Sequence, residues 1–152
     1  AAGEAHRGAL VGQVVGVADG DTITVLDVDH TQHKIRLAGI DAPESRQAFG
    51  SRSRQHLAVL VFRRQVEVAW HKVDRYGRLV GKVRVDGADV SLKQLEAGLA
   101  WHYLQYAREQ TETDRLVYAG AERAAREERR GLWAEAHPVA PWEFRRVRVS
   151  SQ

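Results

Sequence analysis

The sequence contains no cysteine and no methionine, only three prolines, and no long apolar run. Without cysteine there is no disulfide, no thiol nucleophile and no thiolate metal site. The longest uncharged apolar run, Leu57 to Phe62, falls far short of the roughly 20 residues that cross a bilayer as a helix, so no membrane partner is expected. Methionine is missing even at position 1, so the sequence is expected to begin after a removed or omitted segment. Ala1-Ala2 suits a mature N-terminus left by signal cleavage and suits a trimmed one equally well; no apolar signal core is in view. The seven histidines form no HxxxH or HxH pair, which argues against a histidine metal site.

What is present is enough for one folded unit. The 152 residues are 43% hydrophobic, ample for a core and in the size range of a single domain. The net charge of +3 is unevenly spread: residues 1–50 carry −3, residues 51–100 carry +5 and the remainder +1. Arginine supplies 19 of the 23 cations. Arginine suits bidentate contact with phosphate or carboxylate, so the composition allows an anionic ligand beside an acidic subsite; an arginine-rich proteome explains it too.

Five runs read as strands: 10–17, Thr22 to Leu26, Lys34 to Leu37, Val66 to Trp70 and Leu79 to Val85. Ile23 and Val25 alternate with threonines, and Ile35 and Leu37 with Lys34 and Arg36, a period-2 pattern with one buried face. Asp19-Gly20, Asp29-His30-Thr31, Tyr76-Gly77 and Asp86-Gly87 mark the turns. Short strands joined by hairpins predict a small barrel. Helices are predicted near 47–64, 89–97 and 112–130, with Asp89 or Ser91 as a cap and Gly98 as a left-handed stop. The tail, with Pro138 and Pro141, is expected to wrap or fray. The expected organisation is a leader at 1–9, one compact α+β domain at 10–136, and a tail at 137–152.

A turn near Asp29-His30-Thr31 sets facing residues to sum to about 60, which puts Asp21 opposite Gly39 or Ile40 and beside Asp41. Two such carboxylates repel unless a cation joins them, and oxygen-only ligands favour calcium or magnesium over zinc. Asp19 and Asp21 also read simply as hairpin turn residues. Arg36 lies on the strand face away from the barrel interior, Glu44 follows Asp41 in a loop, and Arg78 sits in a later hairpin. Singly, each has an ordinary structural reading. Together they have the parts to attack a phosphodiester: a carboxylate base to deprotonate water (Glu44), cations to neutralise the equatorial oxygens (Arg36, Arg78), and separate metal ligands (Asp21, Asp41).

The runs Asp19-Gly20-Asp21-Thr22, Arg36-Leu37-Ala38-Gly39-Ile40-Asp41-Ala42-Pro43-Glu44 and Asp74-Arg75-Tyr76-Gly77-Arg78 resemble the staphylococcal nuclease-like (thermonuclease) family. Gly98-Leu99-Ala100-Trp101 and Arg130-Gly131-Leu132-Trp133 match its later signatures, and Pro141-Trp142-Glu143-Phe144-Arg145-Arg146 resembles the ending of many bacterial members. The resemblance spans about residues 10–146. It implies an OB-fold, five-stranded β-barrel with three α-helices. It implies a calcium-dependent endonuclease acting on DNA and RNA with little sequence specificity, cleaving the bond to the 5′ oxygen and leaving 3′-phosphate ends. By motif position Asp21 and Asp41 would bind one calcium ion per domain, helped by the backbone carbonyl of Ala42, with Asp19 supporting it through water. Glu44 would be the general base, and Arg36 and Arg78 the phosphate and transition-state clamps. Ala42 stands where the type member has threonine, and Ser45 to Gly50 replaces a longer lysine-bearing loop.

Tyr76, inside the arginine hairpin, is expected to stack on a base, worth about 1–3 kcal/mol, or to hydrogen-bond a phosphate. Tyr103 and Tyr106 fall in an expected loop and are candidate substrate contacts; Trp101 and Trp133 are expected to be core. Arg145, Arg146 and Arg148 are read as a solvated tail. The rival to an enzyme is a weak or inactive nuclease-like module that only binds nucleic acid, and a further rival is another OB-fold binder, which leaves the acidic mouth unexplained. No obligate protein partner is evident, a monomer is the default, and family habit leans toward a secreted or periplasmic location.

Overall fold

The computed structural model describes residues 7–150, with side chains described up to residue 147. Most of the expected leader, residues 1–6, lies outside the described residues. The chain runs through strands β1 (Gly8–Asp19), β2 (Thr22–Leu26), β3 (Gln32–Leu37) and β4 (Ile40–Asp41), helix α1 (Gly50–Val61), and strands β5 (Gln65–Val73), β6 (Leu79–Val85) and β7 (Ala88–Asp89). Helix α2 (Val90–Glu96), strand β8 (Trp101–His102), and helices α3 (Glu112–Glu127) and α4 (Pro141–Ser150) follow.

Five of these strands close into a barrel. Strand β1 is long enough to serve two partners: Gly8 to Gln13 pair with β5 and Gln13 to Asp19 with β2, all antiparallel. The β2–β3 and β5–β6 hairpins extend the sheet, and a parallel β3–β6 pairing (Ile35 opposite Leu79, Leu37 opposite Gly81) closes it. Closure removes the exposed edges that an open sheet would carry. Alternation fills the interior with Val14, Ile23, Val25, Ile35, Leu37, Val66, Val68 and Val83, all buried. Leu57 and Val61 of α1, Leu95 of α2 and Tyr118 of α3 join the same core. The expected α+β, OB-type barrel is therefore present.

Several details differ from the sequence expectation. The β2–β3 register places Thr22 opposite Arg36 and Ile23 opposite Ile35, two residues tighter than expected. The reason is the turn: Asp27 Oδ1 accepts the N–H groups of Asp29 (2.9 Å) and Thr31 (3.0 Å), and His30 takes a left-handed φ of 62°. Asp21 is thus level with Leu37, whose N–H donates to the Asp21 carbonyl at 2.8 Å. Helix α1 begins at Gly50 rather than near 47, because the preceding residues form turns and Phe49 has φ 69°. A Cβ at Gly50 would clash with the Glu44 carbonyl, so this glycine lets the Glu44 loop fold onto the helix start.

Asp89 caps α2 by accepting from the Leu92 N–H, and Gly98 follows at φ 71°, as expected. Helix α3 stops at Glu127, three residues before the expected end. Tyr106 lies in a 3-10 turn, Leu104–Glu109, with Tyr103 as its N-terminal flank, rather than in an irregular loop. Over its described residues the tail packs back on the domain, but as a helix: Pro141 opens α4, a fourth α-helix, and Trp142 stacks on Tyr103. Proline suits that first position, since its missing N–H would have no intrahelical partner there.

Candidate active site

The site gathers at one end of the barrel, where the β1–β2 turn, the β3–β4 connection, the β5–β6 hairpin and the 3-10 turn meet. They line one open cleft of about 840 Å³. Asp19, Asp21, Arg36, Asp41, Glu44, Tyr76, Arg78, Tyr103 and Tyr106 all face this cleft. Four stretches of chain far apart in sequence deliver them.

The β1–β2 turn is held from beneath. A Cβ at Gly20 would collide with the Ser53 side chain of α1, so only glycine lets the turn sit there. Asp19 Oδ1 accepts the Asp21 N–H at 3.0 Å. Gln94, fully buried on α2, donates from Nε2 to the Gly20 carbonyl at 2.8 Å and to the Ser53 carbonyl at 3.1 Å. The turn is therefore held by hydrogen bonds and packing from the fold.

Asp21 is buried; its Oδ2 accepts the Ala42 N–H at 2.7 Å and its Oδ1 accepts from Thr22 Oγ1 at 3.1 Å. Burial pushes its pKa up, but the Arg36 guanidinium and these hydrogen bonds outweigh burial and hold the carboxyl below its ordinary value. Asp19 goes the other way. Burial, then the neighbouring Asp21 charge, pushes it up to about 7. Asp41 is also raised, chiefly by burial, although Arg145 and Arg36 pull it back.

Arg36 sits among these acids. Its Nη1 donates to the Leu37 and Ile40 carbonyls, both at 2.9 Å, and its Nη2 lies 3.2 Å from Asp41 Oδ1 and 3.4 Å from Asp21 Oδ2. The three neighbouring carboxylates raise its pKa against the cost of burial, so it is a fixed positive charge. Arg78 is set by Asp74: its Nε donates to Oδ2 at 2.7 Å and its backbone N–H to Oδ1 at 3.0 Å. Tyr76 is 67% exposed beside it, with the Arg78 guanidinium 5.2 Å from its ring centre. Tyr103 and Tyr106 meet edge to face at 4.9 Å, and Lys72 lies over the Tyr106 ring. Glu44 is anchored through its N–H to Gln47 Oε1 at 3.0 Å. Ala42, next to Asp41, contributes its N–H to Asp21.

Sequence reasoning missed two groups. Asp74 reads in the sequence only as part of a motif, yet it holds Arg78. Arg145 reads as part of a solvated tail, yet it binds Asp41: Nη1 to Oδ1 at 3.2 Å and Nη2 to Oδ2 at 2.7 Å. The signal for Arg145 was available: Pro141 as a helix opener, with Trp142 and Arg145 three apart and so on one face.

A sequence profile described as "Staphylococcal nuclease homologue" matches residues 34–135. This chain belongs to the staphylococcal nuclease family. Its relatives include "Micrococcal nuclease" of Shigella flexneri, 45% identical over 145 residues that cover 90% of this chain and 80% of that protein. An "Uncharacterized endonuclease" of Escherichia coli is 42% identical over 135 residues, covering 88% and 84%. "Staphylococcal-like nuclease CAN1" of Arabidopsis thaliana is 40% identical over 113 residues, covering 74% of this chain and 33% of that one.

Members of the staphylococcal nuclease family are generally metal-dependent, so the donor set bears testing. Among the described residues no three acidic or histidine side chains already form a metal-binding cluster. The chemistry nevertheless fits a hard divalent cation: Asp19, Asp21 and Asp41 offer oxygen alone. Burial is the first cause of the raised Asp19 and Asp41, with the Asp21 charge adding to it, and a cation bound between them would favour their ionised forms. Among the described residues no helix is long and apolar enough to cross a membrane.

Proposed function

We propose that this protein is a calcium-dependent endonuclease that hydrolyses internal phosphodiester bonds of DNA and RNA with little sequence specificity, leaving 3′-phosphate ends. Membership of the staphylococcal nuclease family makes it a nuclease-type phosphodiester hydrolase. The observation that carries the finer reading is the convergence of Asp21, Asp41, Glu44, Arg36 and Arg78 on one cleft from separate segments.

Asp21 and Asp41, with Asp19 behind them, would hold one Ca²⁺, which when bound supplies positive charge beside the scissile phosphate. The remaining roles belong to the chain. Glu44, at the cleft wall and with no other assigned task, takes the proton from the attacking water at a carboxylate oxygen. Arg36 provides fixed positive potential on the cleft floor. Arg78, oriented by Asp74, meets the charge that builds on the equatorial phosphate oxygens, where a preorganised donor acts most strongly. Tyr76 stands exposed next to Arg78 and offers its ring for a base to stack on, and Tyr103 and Tyr106 line the same cleft. Stacking tolerates any base, which accounts for low sequence specificity. We assign a monomer acting outside the cytoplasm, secreted or periplasmic.

The test is digestion of supercoiled plasmid and of RNA in calcium and in chelator, with end-group analysis of the products. Calcium-dependent cutting with 3′-phosphate ends is the expected result. Binding without cutting would instead identify a nucleic-acid-binding module.

A further inference from the structure

Asp41 is the most enclosed carboxylate of the site, its side chain 1% exposed. Both of its oxygens are already taken by a guanidinium from the far end of the chain. Arg145 spans them, Nη1 to Oδ1 and Nη2 to Oδ2, and its Nη1 also lies 3.7 Å from Glu44 Oε2. A buried carboxylate without a counter-charge is costly, and Arg145 meets that need together with Arg36, whose Nη2 lies 3.2 Å from Oδ1. It differs from Arg36 in one respect: its side chain is 37% exposed against 13% for Arg36. Arg36 is locked in the floor, whereas Arg145 sits at the rim, where it can withdraw toward water.

Helix α4 is built to deliver this residue. Trp142, three positions earlier and so on the same face, stacks parallel on Tyr103 (ring centres 5.4 Å apart, 3° between planes). It also meets Trp101 edge-on at 5.4 Å, and Trp101 packs on Trp133 at 4.5 Å. This aromatic stack bolts α4 beside the cleft through Trp101 of β8 and Tyr103 just after it.

We propose that Arg145 is the resident counter-cation of Asp41 and competes with the divalent ion for it, so that α4 sets the metal affinity of the site. This rests on the reading of Asp21 and Asp41 as metal ligands. The ion needs Asp41 oxygens that the guanidinium already spans, and the positive charge of Arg145 opposes a second cation at short range. Removing Arg145 therefore acts in one direction, toward tighter metal binding.

The experiment is calorimetric titration of Ca²⁺ into the full chain without nucleic acid, for the unaltered protein, Arg145→Gln and Arg145→Lys, with thermal melting in chelator to establish folding. Arg145→Gln is expected to bind Ca²⁺ at least tenfold more tightly than the unaltered protein. Arg145→Lys, which keeps the charge but cannot span both oxygens, is expected to fall between them. Trp142→Ala, which undocks α4, should move affinity in the same direction as Arg145→Gln. Equal or weaker Ca²⁺ affinity in the folded Arg145 variants overturns the competition while leaving Asp21 and Asp41 as ligands. If Arg145→Gln does not fold, Arg145→Lys decides: affinity equal to or below that of the unaltered protein overturns the proposal. No Ca²⁺ binding by any of these proteins overturns both this proposal and the metal reading beneath it.

Discussion

The backbone N–H of Ala42 donates to Asp21 Oδ2 at 2.7 Å, across a separation of 21 residues. This bond ties the β1–β2 turn to the segment carrying Asp41 and Glu44, and it makes Asp21 a structural acceptor as well as a candidate ligand. Asp21→Ala would leave the buried Ala42 N–H unpaired and strip Arg36 of one of its partners. Breaking a buried charge pair from one side costs about 3–5 kcal/mol. Asp21→Asn keeps an acceptor for Ala42 and should lose less. Urea denaturation of the two variants checks this ordering; equal midpoints would show that the bond contributes little.

Among the described residues, Glu44 is the one acidic group facing the cleft whose side chain is not held by a hydrogen bond; Arg145 Nη1 lies 3.7 Å from its Oε2. Glu44→Gln keeps the shape and removes the base. Turnover should fall by about 10²–10⁴-fold, the usual contribution of general-base catalysis, with an unchanged melting temperature. Steady-state kinetics on a defined oligonucleotide gives the answer. Undiminished turnover would remove Glu44 from this role.

Arg78 is proposed to act on charge that develops during reaction. Arg78→Ala should then lower kcat by about 10²–10³-fold, the scale for losing one preorganised donor, while substrate affinity changes far less. Binding of uncleaved DNA in chelator, compared with single-turnover cleavage, separates the two quantities. Equal losses in both would assign Arg78 to positioning instead.

The barrel was legible because its signal is local. Ile23, Val25, Ile35 and Leu37 alternate in sequence as they do in the core, and Asp89 and Gly98 cap α2 as their chemistry demands. Register was less legible. The side chain of Asp27 tightened the β2–β3 turn by hydrogen bonds that no periodicity announces. The motif residues stand out in the sequence because carboxylates and arginines are chemically unusual together at a barrel mouth, and the fold brings them to one cleft. Arg145 does not stand out, since its partner Asp41 lies 104 residues away and the packing of Trp142 on Tyr103 and Trp101 brings them together.

Asp74 offers a pH test of the Arg78 clamp. Burial would raise its pKa, but hydrogen bonds from the Arg78 backbone and side chain, with the Arg78 charge, hold it below the ordinary 3.8. A depressed acid contributes stability above its unfolded pKa and loses it as pH falls through the folded value. The clamp should therefore be intact at neutral pH and open only below pH 3.8. Carboxyl NMR titration should place the Asp74 midpoint under 3.8, and Arg78→Ala should move it upward. A midpoint indifferent to that substitution would mean that Arg78 does not govern Asp74.

Gln94 carries the last prediction, because it supports the acidic turn without touching the cleft. Its amide is buried between α1, α2 and the turn, donating to the Gly20 and Ser53 carbonyls while its Oε1 pairs with His56 Nδ1. Gln94→Leu fills the space but takes the Gln94 donor from the Gly20 carbonyl and the Oε1 partner from His56, while the Ser53 carbonyl stays in the α1 ladder; an unmet buried polar group costs about 1–3 kcal/mol. The Gly20 carbonyl lies between Asp19 and Asp21, so its release loosens both carboxylates together. Stability should fall by roughly 2 kcal/mol, and Ca²⁺ affinity should fall with it. Gln94→Glu tests the polar requirement separately, since a carboxylate cannot donate to the Gly20 carbonyl. If Gln94→Leu lowers stability yet leaves Ca²⁺ affinity unchanged in calorimetry, the turn is held by its own Asp19 hydrogen bond to the Asp21 N–H, and Gln94 serves the core alone.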